Sequence, residues 1–338
     1  MEGVSVIICC YNSVLRLKDT LSALAGQHFR SAVPWEIVLV DNASTDGTST
    51  AALDIWESLK APALLRIVHE PAAGLIHARK KGIHEAAYST LLFCDDDNWL
   101  CPDYVQGMFD ALSGDSLTAA CGGKGIPVFE TEKPQWFDEY AEAFATGSQD
   151  LNTEDGRILS LYGAGLAVKK QALDALFQSD FRALAGGGRK GKNLGSAEDI
   201  ELTYALVLKG YRLSYNPDLT FYHYLPKERL TIRYLRRLFH AFGKDGPVRN
   251  LYYAHLTARP WHQRVTNWYF HLGLSLIRTG KYLVIPPKKS GRVLYLKWNI
   301  AYLGQLLTMK ADYQHLTHHI SRLREPAREP GITQITIA

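Results

Sequence analysis

Runs of β-branched and aliphatic residues alternate along the first third of the chain with stretches in which leucines return every three or four positions. Residues 4–10 (Val-Ser-Val-Ile-Ile-Cys-Cys) form an apolar run of strand length that breaks at Tyr11-Asn12-Ser13. Over residues 14–24, Leu17, Leu21 and Leu24 recur at helical spacing. The same pattern predicts strands over 35–40, 64–69 and 90–94, and helices over about 48–59 and 74–87. Strand and helix alternate through short turns, which predicts a mostly parallel, Rossmann-like sheet with helices on its faces. No internal repeat is visible.

Polar residues fall where these strands stop. Tyr11-Asn12 follows the first strand, Asp41 the second, and Asp95-Asp96-Asp97 the fourth. Three adjacent carboxylates repel one another and cannot lie in a core. At the C-terminal edge of a parallel sheet they face the crevice where open α/β folds bind ligands. Clustered carboxylate oxygens suit a hard divalent cation, and through it a phosphate-bearing substrate. An acidic turn before Pro102 is the plainer alternative. The first strand is followed by neither G-x-G-x-x-G nor a P-loop, which argues against those two nucleotide sites.

Composition adds compartment and polarity. The 338 residues are 46% hydrophobic and 21% charged, as in a globular protein. Five cysteines without C-x-x-C spacing read as reduced core thiols of a cytoplasmic protein. The N-terminus lacks the basic and apolar regions of a secretory signal. Residues 1–226 carry 19 Lys and Arg against 29 Asp and Glu, a net −10, whereas residues 227–338 carry 19 against 5, a net +14. An acidic head joined to a basic tail points to a polyanionic surface for the tail.

Several stretches carry a resemblance. Val4-Ser5-Val6-Ile7-Ile8-Cys9-Cys10-Tyr11-Asn12, then Val40-Asp41-Asn42-Ala43-Ser44-Thr45-Asp46-Gly47, and Phe93-Cys94-Asp95-Asp96-Asp97 with Pro102 behind it are the first three. Gly163-Ala164-Gly165-Leu166 and Gly195-Ser196-Ala197-Glu198-Asp199 complete the series. Together, over roughly residues 3–235, the chain resembles the family 2 glycosyltransferases of GT-A fold. The resemblance implies an inverting, metal-dependent enzyme that moves a sugar from a nucleotide-sugar donor, UDP-sugar favoured, to a glycan or lipid-linked acceptor in cell-surface polysaccharide assembly. It divides the chain into a transferase domain over 1–235, with a nucleotide-sugar half (1–100) and an acceptor half (101–235), and a basic helical region over 236–338.

The resemblance also implies roles. Tyr11, Asn12, Asp41, Arg79 and Asp95 become donor-binding residues. An aromatic face stacks on a base and a carboxylate accepts its ring N–H; an Asx turn or helix cap is the plainer alternative for Asp41 and is compatible with a ligand contact. Lys80 stands where relatives carry Asn. Asp97 and Asp95, with His223, are the implied ligands of Mn²⁺ or Mg²⁺; Asp96 reads as solvent-facing. Asp199 takes the place of the general base, with an N-cap as its structural alternative, and Glu198 and Trp136 the acceptor side. The Gly- and Lys-rich stretch 186–192 reads as a connector or a closing loop. No Q-x-x-R-W follows Asp199, which favours transfer of one sugar per encounter.

The tail is rich in aromatics and cations, yet its uncharged runs of 13 residues (265–277) and 12 residues (298–309) are too short to span a bilayer. Asn267, His271, Ser275 and Arg278 share one helical face, with Trp268, Phe270, Leu272, Leu274, Leu276 and Ile277 elsewhere. This predicts an amphipathic helix for in-plane binding to the anionic inner face of the cell membrane. Packing on the core and homo-oligomerisation are the alternatives, and no nucleic-acid motif accompanies the charge. Two rival functions remain at this point: a sugar-1-phosphate nucleotidyltransferase, and a non-catalytic, membrane-docked binding protein on a GT-A scaffold.

Overall fold

The computed structural model describes the whole chain except residues 62, 150–155, 186–188, 191–192, 196, 258, 285–290 and 325–338. The elements run β1 (Val4–Cys10), α1 (Val14–Ala25), β2 (Trp35–Asp41), α2 (Thr48–Ser58), β3 (Leu64–His69), α3 (Leu75–Glu85) and β4 (Thr90–Asp95). Next come β5 (Asn98–Leu100), α4 (Tyr104–Ser113), β6 (Thr118–Phe129), a 3-10 segment (Phe137–Phe144), β7 (Ala167–Lys169) and α5 (Lys170–Phe177). A two-residue pair, β8 (Arg189–Lys190) and β9 (Asn193–Leu194), precedes α6 (Glu198–Leu208) and β10 (Arg212–Leu225). The remainder is helical: α7 (Ile232–Leu256), α8 (Pro260–Gln263), α9 (Trp268–Val284), α10 (Gly291–Thr308) and α11 (Tyr313–Arg322).

One eight-stranded sheet has the order β3-β2-β1-β4-β7-β6-β10-β5. Its first four strands are parallel, as their helical crossovers require, and the largely apolar runs of β1, β2 and β4 are buried on both faces. The sheet as a whole is mixed, because β7 and β5 run antiparallel to their neighbours. Antiparallel β5 follows from the turn at Asp96-Asp97, which sends the chain to the edge beside β10. Register aligns the strand ends: Cys10 pairs with Asp41 and Cys9 with Asp95. The three polar ends therefore stand side by side at one edge, the place where a parallel sheet binds ligands.

Helix α3 lies close on this sheet through Gly82, where a Cβ would collide with Ile7 and press on Val40 at 3.3 Å. Asn42 fixes where α3 begins, accepting from the Gly74 amide at 2.8 Å and donating to the carbonyls of Glu70 and Ala72. Arg79, one turn before Gly82, is thereby carried over the sheet, 5.7 Å from the Phe93 ring. The C-terminal helices share the same core: one buried apolar cluster includes Ile7 and Leu91 of the sheet together with Leu251, Tyr302 and Ile320.

Candidate functional site

A cavity of about 400 Å³ opens where α3, β4, α6, β10 and α7 meet, and Arg79, Asp95, Glu198, Asp199, His223 and Arg229 line it. Its volume lies in the range of small-ligand sites. The sequence brings these residues from four separate motifs, and only the fold collects them.

Asp199 sits in the first turn of α6, behind the N-cap residue Ala197, and does not cap the helix. Its Oδ1 is ion-paired with Arg79 Nη1. Burial opposes the Arg79 charge, but Asp199 and then Asp95 outweigh it and hold the guanidinium firmly protonated. Gly163 makes room for the Asp199 carboxylate, since a Cβ there would stand 2.5 Å from Oδ1 and nearer still to Oδ2. The same turn is anchored by fully buried Glu201, which accepts the Leu184 and Ala185 amides at 2.8 Å each. Most of the stretch 186–192, beyond this anchor, lies outside the described residues.

Asp97 is almost completely buried in the turn after β4, and its carbonyl accepts the Tyr224 amide at 2.9 Å. Its carboxylate lies 3.1 Å from Arg229 Nη1 and 3.6 Å from His223 Nε2, and the Arg229 and His223 side chains approach one another to 3.3 Å. Burial lowers the affinity of Arg229 for its proton, yet Asp97 more than restores it. A carboxylate and an imidazole already drawn to one positive group offer two ligands of the kind Mn²⁺ takes. Among the described residues, no group of three or more His, Cys, Asp or Glu side chains converges on one point. Asp97 and His223 are thus brought together as two candidate donors, short of a three-ligand set, and Asp95, at the end of β4, lines the cavity with His223. Sequence reasoning missed Arg229, although a buried acidic cluster needs a cationic partner and Arg229 follows His223 closely.

Asp96 does not face solvent. It binds Arg16 Nη2 at 2.6 Å and Ser13 Oγ, and its carbonyl accepts from Thr20 Oγ1 at 2.9 Å. Burial and the adjacent Asp97 push its pKa up. This middle carboxylate ties the acidic turn to α1.

The remaining residues singled out from sequence lie outside the cavity wall. Tyr11 is 57% exposed at the end of β1. Asn12 Oδ1 accepts from the Thr45 amide at 2.9 Å and its backbone N–H donates to Ser44 Oγ at 3.1 Å, so it stitches two loops together. Asp41 accepts the Ser44 amide at 3.0 Å and the Ser49 hydroxyl. Burial works against its charge, but these hydrogen bonds hold its carboxyl below the usual range. Trp136 packs on Phe137 and Phe144 at centroid distances of 6.2 and 6.1 Å. Its neighbours Tyr140 and Phe144 reach the cavity instead.

Known proteins share this architecture. The EpsH protein of Bacillus subtilis (strain 168) is 29% identical over 120 residues, 35% of this chain and 33% of the relative. The poly-beta-1,6-N-acetyl-D-glucosamine synthase of Staphylococcus aureus (strain COL) is 23% identical over 222 residues, 64% of this chain and 48% of the relative. The chain thus spans between a third and about half of the length of these relatives. Among solved structures, S. aureus TarS 1–349 in complex with UDP-GlcNAc superposes with a TM-score of 0.51 at 19% identity, covering 93% of this chain and 92% of that one. This likeness supports the GT-A fold. The model of the family described as glycosyl transferase family 2 matches residues 5–177, just over half of the sequence. By that match, the chain belongs to glycosyl transferase family 2.

Proposed function

We propose that the cavity transfers one sugar from a nucleotide-sugar donor, a UDP-sugar by preference, to a hydroxyl of a glycan or lipid-linked acceptor, with inversion and in the service of cell-surface polysaccharide assembly. The observation that carries this reading is the meeting of Asp199 and Arg79 with Asp95, His223 and Arg229 in one cavity. Relatives named for polysaccharide synthesis and a neighbour holding UDP-GlcNAc support the donor and product class. Family membership disfavours the nucleotidyltransferase alternative, and retention of both carboxylate clusters disfavours a purely binding role.

In this reading Asp199 takes the proton from the acceptor hydroxyl as that oxygen bonds to the anomeric carbon. The bond from the anomeric carbon to the donor phosphate breaks on the opposite face, and the nucleoside diphosphate leaves with the electron pair. Arg79 and Arg229 meet the developing negative charge. Oδ1 of Asp199 is committed to Arg79 here, so a donor phosphate that draws Arg79 away also frees the base. Asp97 and His223, with Asp95, would hold Mn²⁺ or Mg²⁺. When bound, the ion supplies further neutralisation of the leaving diphosphate. Tyr11, Asn12 and Asp41 border the donor side at the aligned strand ends, and Glu198 the acceptor side.

A panel of nucleotide sugars with Mn²⁺, read by nucleotide release and by ligand-induced thermal stabilisation, tests the proposal. One donor is expected to bind and turn over, with both effects reduced in Asp97→Ala. If no donor binds, and Asp97→Ala changes nothing, the reading fails.

A further inference from the structure

Helix α9 is amphipathic in the reverse of the usual sense for a surface helix. Its polar residues His271 and Ser275 are buried: His271 contacts the hydroxyls of Tyr302 and Tyr313, and Ser275 Oγ donates to the His271 carbonyl at 2.8 Å. Burial and Arg278 push the His271 pKa down to about 4, so this inward polar cluster is neutral. Arg278 itself lies over the Trp298 ring at 5.8 Å. Trp268 and Leu272 pack on the core, but other apolar residues point outward: Ile277 is 74% exposed and Val284 83%, with Tyr269, Leu276 and Leu283 on the same side. On α10, Val293, Ile300 and Leu307, seven residues apart, are also exposed.

Beside this apolar surface runs a groove of about 800 Å³ between α7 and α10, lined by Arg233, Arg236, Arg237, His240, Lys244 and Lys297. Ile300 forms part of its wall, so groove and apolar line are one continuous surface. Neither α9 nor α10 contains an Asp or Glu, and the only one in α7, Asp245, is buried. We propose that this face of α7, α9 and α10 docks on an anionic phospholipid bilayer, with lipid phosphates in the basic groove and the outward side chains of α9 and α10 in the acyl boundary.

Two features together select this occupant. A soluble polyanion matches the groove but leaves the apolar ridge in water. A second copy of the chain, paired about a two-fold axis through this face, sets cations against cations. A bilayer surface satisfies both charge and apolar area. Docking is in-plane, because no helix among the described residues is long and apolar enough to cross a membrane. The groove also borders the candidate active site, with Leu194 in its wall and Gly195 in the cavity wall. On the glycosyltransferase reading, an acceptor held in the bilayer then meets the cavity from the membrane side.

Sedimentation of the full chain with phosphatidylcholine vesicles, with and without phosphatidylglycerol, tests docking without donor or acceptor, so its failure is separate from failure of the transfer reading. The chain is expected to pellet with the anionic vesicles and to be released by salt. Arg236→Ala with Lys297→Ala lowers partitioning about twenty-fivefold, at about fivefold per cation. Leu276→Ser with Ile277→Ser weakens it even at low salt, and Asp199→Asn leaves it unchanged. These positions other than Asp199 are exposed, so thermal midpoints check that the variants remain folded. Recovery in the supernatant with both vesicle types overturns the proposal. So does binding of soluble polyphosphate that competes fully with vesicles while the Leu276 and Ile277 changes have no effect. A dimer that Ile277→Ser dissociates, with no vesicle binding, overturns it as well.

Discussion

Gly163→Ala isolates the geometry of the proposed base from the stability of the fold. Gly163 lies outside the left-handed backbone region, so alanine meets no conformational penalty there. The new methyl would stand 2.5 Å from Asp199 Oδ1 and nearer to Oδ2, whereas carbon contacts settle near 3.5 Å. The carboxylate must retreat by about 1 Å or more, and it is the end of a short side chain held by Arg79. A displacement of that size at a reacting group costs about a hundredfold in rate. The lost ion-pair geometry costs about 1 kcal/mol, so the thermal midpoint moves by only a few degrees. Steady-state nucleotide release should show kcat reduced about a hundredfold, with the donor Kd unchanged. Because both substitutions act on one carboxylate, the double variant with Asp199→Asn should be no slower than Asp199→Asn alone. A kcat within twofold of wild type, or full additivity in the double variant, would refute the assignment of Asp199 and the role of Gly163 in seating it.

Three further outcomes are expected. Asp199→Asn alone should cost between about a hundredfold and ten-thousandfold in transfer while donor-induced thermal stabilisation persists; retained turnover removes Asp199 from the role of base. Arg229→Ala leaves the buried Asp97 carboxylate without its guanidinium, at a cost of about 3 kcal/mol in urea unfolding; Mn²⁺ should then raise the midpoint of the variant more than that of wild type, and equal responses would argue against a cation site at Asp97 and His223. Burial pushes the Glu201 pKa up to about 8, above its ordinary 4.5, against the pull of the Leu184 and Ala185 amides. A raised folded value means the stabilisation is complete below about pH 4.5 and is lost as pH rises towards 8, on the order of 5 kcal/mol in all. Glu201→Gln should flatten that slope in unfolding curves at pH 5 and 8, even though its amide lowers the absolute level; parallel slopes would refute it.

The first third of the fold was legible because β1, β2 and β4 are buried on both faces and read as apolar runs, interrupted only by Ser5 in residues 4–10 and Glu36 in residues 35–40. Strands β5 and β7 have three residues each, too few to show a period, and their antiparallel direction is set by partners far along the chain. The acidic turn was visible as charge, but the division of labour within it was not. Asp96 is claimed by Ser13, Arg16 and Thr20 of the first loop and helix, and Asp97 by Arg229, over distances in sequence that no local pattern encodes. The donor-side residues show the converse case. Asn12 and Asp41 carry hydrogen bonds that hold the loops after β1 and β2, so the chemistry that made them attractive as ligands already has a structural use.

Helix α9 shows why periodicity identifies a face without saying which way it turns. The spacing of Asn267, His271, Ser275 and Arg278 was evident from sequence, and in a water-exposed helix that stripe would face solvent. Here Tyr302 and Tyr313 offer hydroxyl groups from α10 and α11, so burying His271 leaves no imidazole nitrogen unsatisfied. The Tyr282 ring stacks on Tyr295 at 5.6 Å and Trp268 Nε1 donates to the Leu306 carbonyl at 2.9 Å, fixing the rotation of the helix from both ends. Once those contacts set the rotation, Leu276, Ile277 and Val284 must point away from the protein. The exposed apolar ridge is thus a consequence of polar pairing in the interior, and the outward face gains a favourable environment only when a surface that accepts both aliphatic side chains and the neighbouring cations covers it.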